Sequence, residues 1–337
     1  MQKKDITKAT TLIQKAKNVV ITCHKGPDGD AIGSSLALYL YLKKIIDNVN
    51  IVVPDDFPSF LKWMPGTDHI ICYDTETDKA QKLIQQADLI FSLDYNSLHR
   101  TGEMSEVLTK ATASFIMIDH HQQPDNFAAV TYSDTSICST CEMVYHFINA
   151  LGDFNLIDSD IASCIYTGIM TDTGSFRFKS TTSTTHRVIA KLIDLGVDNA
   201  RIHQNVYDSN TYNRLQLLGK ALNNLKVISE LNTAYISLSA KELKEFDAQK
   251  GDTEGVVNYA LSLQGIKLAA IFKEDDIANI VKMSFRSKGN FSVNEFARTH
   301  FNGGGHINAA GAVSMLSLKD TLEKFITILP NYQNELS

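Results

Sequence analysis

The sequence predicts an α/β protein: a doubly wound, mainly parallel sheet domain, then a helical linker and a smaller α+β domain. Three observations predict it. Short apolar runs alternate with helical patterns through the first half of the chain, as parallel strands with crossover helices do. Three of those runs end in acids or histidines: residues 19–23 into His24, 89–93 into Asp94, and 115–118 into Asp119-His120-His121. After about residue 225 the pattern changes to closely spaced strands. The expected boundaries are 1–195, 196–225 and 226–337.

The elements follow in order. Residues 19–23 read as a strand, and the Gly26-Pro27-Asp28-Gly29 stretch is an irregular loop leading to a helix over 32–46. Residues 51–53 are a strand, 80–86 a helix, 88–93 a strand and 115–118 another. Ser139-Thr140-Cys141-Glu142 matches a capping box opening a helix over 143–150. Ile161, Ile165, Gly168 and Ile169 have helical spacing and deliver Thr171-Asp172-Thr173-Gly174, so Asp172 sits at a helix end. Helices follow over 185–195 and 211–222. The remainder reads as a meander, with strands over 233–238, 267–273 and 277–285 and a turn at Glu274-Asp275-Asp276.

Composition narrows the function classes. A chain of 337 residues with 44% apolar side chains buries a large core. No apolar run approaches the roughly 18 residues of a membrane span, and the first residues lack a signal-peptide pattern. Five cysteines, an odd number, suit a reducing compartment, so a cytoplasmic protein is expected. Cys138 and Cys141 have no second pair with which to complete a zinc site. A net charge of −6 argues against a long basic track for duplex nucleic acid, while small phosphorylated substrates remain compatible.

His24, Asp28, Asp30, Asp94, Asp119, His120 and His121 all lie at or just past strand ends, where open α/β sheets bind ligands. Several converging carboxylates repel one another unless cations neutralise them. Imidazole and carboxylate donors without thiolate favour Mn²⁺, with Mg²⁺ or Fe²⁺ as alternatives. Two such ions roughly 3.5–4 Å apart suit displacement at phosphorus. A second polar signal lies downstream. Arg286 ends a strand, and Gly303-Gly304-Gly305 reads as a loop leading toward a short helix, offering N–H groups to an anion with His306 beside it.

These motifs, in order and across nearly the whole chain, resemble the DHH phosphoesterase superfamily with its type 1 DHH-associated C-terminal domain. Among its members the compact length is similar to the nano-RNase and 3′-phosphoadenosine 5′-phosphate (pAp) phosphatase branch. The resemblance implies that His24, Asp28 and Asp94 hold one ion while Asp30, Asp94, His120 and Asp172 hold the other, with Asp94 shared. It implies that Asp119 supports the histidines and that His121 faces the scissile phosphate as electrophile or general acid. A water activated between the two cations would attack phosphorus, with Arg286, Gly303, Gly304, Gly305 and His306 fixing the distal end of a short substrate across an interdomain cleft.

The function expected is hydrolysis of short oligonucleotides to mononucleotides and dephosphorylation of pAp. Neither a membrane nor long duplex nucleic acid is expected as a partner, and a homodimer is left open. A linear or cyclic dinucleotide phosphodiesterase would share every metal ligand. Inorganic pyrophosphatase or exopolyphosphatase chemistry is a third variant, and a nucleotide-binding module without catalysis is the alternative of a different class.

Overall fold

The computed structural model describes residues 1–337, which divide into two compact units, Met1–Ser209 and Asn210–Ser337. The first contains α1 (Lys3–Lys15), β1 (Asn18–Thr22), α2 (Gly29–Leu42), β2 (Asn48–Val53), β3 (Ile70–Cys72), α3 (Thr77–Gln85) and β4 (Leu89–Leu93). It continues through α4 (Met104–Thr109), β5 (Ser114–Asp119), β6 (Val130–Ser133), α5 (Thr140–Leu151), α6 (Ser159–Asp172), α7 (Ser183–Asp194) and α8 (Asn199–Tyr207). Its six strands run in the order β3-β2-β1-β4-β5-β6, and every pairing is parallel. The strand order reverses between β1 and β4. At such a switch point the loops leaving the strand ends diverge to opposite faces and open a crevice.

Alternate strand residues face opposite sides. Val19, Ile21, Phe91 and Ile116 join a core with α2, α5 and α6, whereas Val20, Ile90 and Phe115 join a second core with α3 and α4. Helix α2 is buried along nearly its whole length, so it must pack closely on all sides. Gly33 and Gly168 permit this: a Cβ at Gly33 would lie 2.7 Å from the Cys164 carbonyl oxygen, and one at Gly168 2.1 Å from Cys141 Sγ. No helix is long and apolar enough to cross a membrane.

The second unit contains α9 (Tyr212–Asn223), β7 (Lys226–Ile228), β8 (Thr233–Leu238), α10 (Ala240–Glu245), α11 (Val256–Ser262), β9 (Leu268–Asp275) and β10 (Ile280–Ser287). It ends with α12 (Val293–His300), β11 (Asn302–His306), β12 (Ala309–Ser314), α13 (Leu318–Ile328) and α14 (Gln333–Leu336). Its sheet order is β11-β12-β10-β9-β8-β7. Residues 196–225 contribute to both units: Ile202 and Val206 of α8 enter the first core, and Leu217 and Ala221 of α9 enter a core beneath β8 and β9.

Three expectations are corrected. The second sheet is mixed and not a meander, because β8 and β9 pair in parallel; the α10–α11 connection supplies the long crossover a parallel pair needs. The β9–β10 turn falls later than Glu274-Asp275-Asp276, as Asp275 Oδ1 accepts the Ala278 N–H at 3.0 Å and Lys282 pairs with Asp275 at 2.8 Å. Gly303, Gly304 and Gly305 form strand β11 against β12 and do not lead into a helix. A Cβ at Gly303 would lie 2.4 Å from the Gly311 carbonyl oxygen, and Gly305 has φ +150, so these glycines serve backbone approach within a hairpin. The Gly305 N–H already donates to Asn294 Oδ1 at 2.9 Å.

Candidate metal centre

Strand ends and two helix termini build the site. The loop after β1 carries His24 and then Asp28, whose Oδ1 accepts the N–H groups of Asp30 and Ala31 and caps α2. Asp30, in the first turn of α2, is buried. Asp94 follows β4 in the left-handed region, φ 61, a strained conformation for a residue with a Cβ. Asp119 ends β5, and His120 and His121 follow it. Asp172 ends α6. A carboxylate at a helix C-terminus faces the negative end of the macrodipole, so this placement is unfavourable without a nearby positive charge.

Three triads form among these residues, one of them Asp94, Asp119 and His121. Ligand atoms of His24, Asp28 and Asp94 lie within 4.8 Å of one another, as do those of Asp30, His120 and Asp172. Asp94 links them: its Oδ2 is 3.3 Å from His24 Nε2, and its Oδ1 is 3.5 Å from His120 Nε2. His120 Nε2 is also 3.7 Å from both Asp30 Oδ2 and Asp172 Oδ2. His24 and His120 each turn Nδ1 to a main-chain carbonyl, of Lys25 at 3.0 Å and of Ile137 at 3.2 Å. An Nδ1–H donated there leaves Nε2 as the lone-pair atom aimed at the carboxylates, the tautomer a metal-binding histidine requires.

Asp119 holds His121 directly. Its Oδ2 accepts the His121 N–H at 2.9 Å and its Oδ1 holds His121 Nδ1 at 2.7 Å, while His120 is oriented by Ile137. The hydrogen bonds of Asp119 fall on His121, while its charge favours the protonated form of His120. The reason is geometric: successive side chains leaving a strand end diverge.

The electrostatics report excess negative charge. Burial pushes Asp30 well above the usual carboxylate range, and the charges of Asp94 and Asp172 push it the same way. Burial also disfavours charge on Asp94, but the hydrogen bond from His24 and the fields of His121, His24 and His120 hold it well below its usual value. At His24 burial is outweighed by the hydrogen bond to Asp94 and the charge of Asp28, raising it to about 9. At His120 burial is outweighed by Asp172, Asp94 and Asp30, again to about 9. Protons here offset carboxylates, and divalent cations can replace them. The donors are oxygen and nitrogen; Cys141 Sγ turns to the Asp30 main-chain oxygen at 3.6 Å. This set fits hard divalent ions.

Two features escaped the sequence reading. Thr140 donates its hydroxyl to Asp94 Oδ1 at 2.9 Å, and the N–H groups of Thr140 and Cys141 clamp Asp30 at 2.6 and 2.8 Å. The capping pattern marked the helix start but not what its N–H groups hold. The cap itself is one-sided: Ser139 accepts the Glu142 N–H, while the Glu142 carboxylate binds Thr185 Oγ1 at 2.8 Å and Cys138 Sγ at 2.9 Å. Arg100 lies near enough that its charge, after burial, opposes protonation of His121, which is held below the usual histidine range. The histidines outside the motifs serve local contacts: His99 with Ser97, His146 with Glu142, His203 with Ser175 and His300 with Tyr332.

In the second unit Arg286 lies on β10 opposite Ala309 of β12 and donates from one terminal nitrogen to the Phe285 carbonyl at 2.9 Å. His306 ends β11.

Comparisons with known proteins give the family and the fold. Residues 18–169 match the family model described as the DHH family, N-terminal domain, and residues 231–334 match the DHHA1 domain. A bifunctional oligoribonuclease and PAP phosphatase NrnA of Thermus thermophilus is 32% identical over 87% of this chain and 83% of its own length. The Bacillus subtilis protein of the same description is 27% identical over 87% of this chain and 88% of its own. The crystal structure of an exopolyphosphatase-related protein from Bacteroides fragilis superposes with TM-score 0.94 at 41% identity, covering 99% of this chain and 98% of that one.

Proposed function

The chain belongs to the DHH family and is a phosphoester-hydrolysing enzyme of a metal-dependent class, and from that premise we propose that it degrades short oligonucleotides to mononucleotides and dephosphorylates pAp. The observation that carries the reading is Asp94 placed between His24 and His120, one oxygen toward each, with Nδ1 of each imidazole turned to a main-chain carbonyl and Nε2 toward the carboxylates. Relatives described as bifunctional oligoribonuclease and PAP phosphatase support the substrate class.

In this reading His24, Asp28 and Asp94 hold one divalent cation, and Asp30, Asp94, His120 and Asp172 the other, with Mn²⁺ favoured over Mg²⁺ or Fe²⁺ by the mixed imidazole and carboxylate donors. When bound, such ions lower the pKa of water and neutralise charge on a phosphoryl group. The protein's own groups do the rest. Asp119 fixes the His121 ring through Nδ1, so Nε2 is the atom that exchanges a proton with the reacting group. Burial and Arg100 keep that ring neutral at rest. Of the two expected roles, electrophile or general acid, a neutral ring serves the first as it stands, and the second requires the negative charge of bound phosphate to offset Arg100. Arg286, Gly303, Gly304, Gly305 and His306 are assigned to substrate binding, with the guanidinium suited to a terminal phosphate. Five unpaired cysteines suit a cytoplasmic setting.

One experiment tests the substrate assignment: initial rates with Mn²⁺ on 5′-labelled di- to decanucleotides, pAp, cyclic di-AMP and pyrophosphate. The shortest oligonucleotides and pAp should turn over fastest. Faster release of phosphate from pyrophosphate would favour the polyphosphate chemistry named in the description of the Bacteroides fragilis relative.

A further inference from the structure

Asp94 carries the largest demand in the centre, because its two oxygens must serve different histidine and carboxylate sets at once. Its histidine neighbours lie at 3.3 Å or more. The shortest polar contact of either oxygen is the hydroxyl of Thr140, at 2.9 Å from Oδ1. A carboxylate can rotate about its last torsion with little resistance, so this contact selects the orientation of the carboxylate plane in which one oxygen faces His24 and the other His120.

Thr140 is well placed to impose that choice. It is fully buried, and a buried hydroxyl needs a partner; besides Asp94 there is no other hydrogen-bond partner for this one. Its backbone N–H is fixed on Asp30 Oδ2 at 2.6 Å. The helix turn around it is held by Ser139 at the Glu142 N–H, and Glu142 is tied to Thr185 on α7. Branching at Cβ leaves few allowed side-chain torsions, and the contact with Asp94 selects among them. One residue thereby touches a carboxylate of each triad, Asp30 through its main chain and Asp94 through its side chain.

We propose that Thr140 is a positioning residue that orients the Asp94 carboxylate and couples the His24 and His120 halves of the metal centre. The inference rests on the proposed sharing of Asp94 between two ions. It extends that reading to a residue that contacts neither ion, a kind of partner whose loss costs roughly 10–100-fold in metal affinity or activity.

The test compares Thr140→Val, Thr140→Ser, Thr140→Ala and the unaltered full chain by calorimetric titration with MnCl₂ alone and by electron paramagnetic resonance of the Mn²⁺-loaded proteins. The unaltered protein and Thr140→Ser should take up two ions and give the spectrum of a spin-coupled pair. Thr140→Val, of the same shape but without the hydroxyl, should bind the second ion at least about tenfold more weakly and lose most of the coupled signal. If the valine variant does not fold, serine and alanine, which differ only in the hydroxyl, should separate by the same factor. Mn²⁺ affinity within twofold across all four proteins, with only the melting temperature changed, would make Thr140 structural and overturn the proposal. Failure of the unaltered protein to bind a pair of ions would instead overturn the shared-ligand reading on which it rests.

Discussion

The two units each contain a six-stranded sheet, yet they use it differently. In the first unit all strands run the same way, so every strand delivers its following loop to one edge. His24, Asp94 and the Asp119-His120-His121 run meet there although some 95 residues separate the first from the last. In the second unit most neighbours are antiparallel, so strand ends alternate between edges. Its candidate residues, Arg286 and His306, belong to the strands themselves. Parallel topology concentrates polar groups that must repel, which suits a metal centre. A mixed sheet spreads its strand ends over two edges, so no such concentration arises there.

That contrast can be broken by substitution. Asp94→Ala should have the largest effect, lowering kcat by about 10⁴-fold or more and reducing Mn²⁺ content, because the His24 triad loses a ligand and His120 loses the oxygen that links it to that triad. Metal analysis beside steady-state rates would check this, and retention of full activity would place the chemistry elsewhere. Gly303→Ala comes next. A Cβ there meets the Gly311 oxygen at 2.4 Å and Ala312 Cβ at 2.5 Å, so the hairpin should lose about 2 kcal/mol, measurable by denaturant titration. An unchanged midpoint would show that β11 has room to shift.

His306→Ala should raise KM for dinucleotides about tenfold, some 1.4 kcal/mol, with kcat nearly unchanged, as loss of uniform binding does. A fall in kcat at constant KM would give the second unit a chemical role and erase the division of labour. The smallest effect concerns Glu242, which caps α10. Burial opposes its charge, but the Ser239 N–H, Asn224 and Lys220 outweigh this and lower it to about 2. A depressed carboxyl stabilises the fold above its unfolded value, near pH 4.5, and loses that contribution as pH falls through about 2. Glu242→Gln should therefore cost on the order of 1 kcal/mol at pH 7, with the difference vanishing by about pH 2 in thermal melts. A constant gap at every pH would mean that shape and not charge matters.

Much of this was legible beforehand. The alternation of apolar runs gave away a parallel sheet, and the acids at their ends marked the edge where a site would form, because side chains excluded from a core need a reason to follow apolar strands. Asp172 could be placed at a helix end from the spacing of Ile161, Ile165 and Ile169. Other elements were opaque for physical reasons. Strand β3 has three residues, too few for a period, and α1 buries only Ala9 and Ile13. The glycines at 303–305 look the same in a flexible loop and in a hairpin, since composition records only the missing Cβ and not the backbone that approaches it.

By itself the sequence determined which chemistry was on offer: hard oxygen and imidazole donors, no thiolate set, and a parallel sheet to bring them to one edge. Only the tertiary structure decided how they divide. That Asp94 lies between His24 and His120 follows from setting β4 between β1 and β5, and that Thr140 reaches both Asp30 and Asp94 follows from packing α5 against α2. Local pattern fixes the residue types and their element, whereas distances near 3 Å between residues 46 and 110 positions apart depend on how the whole first unit closes around its core.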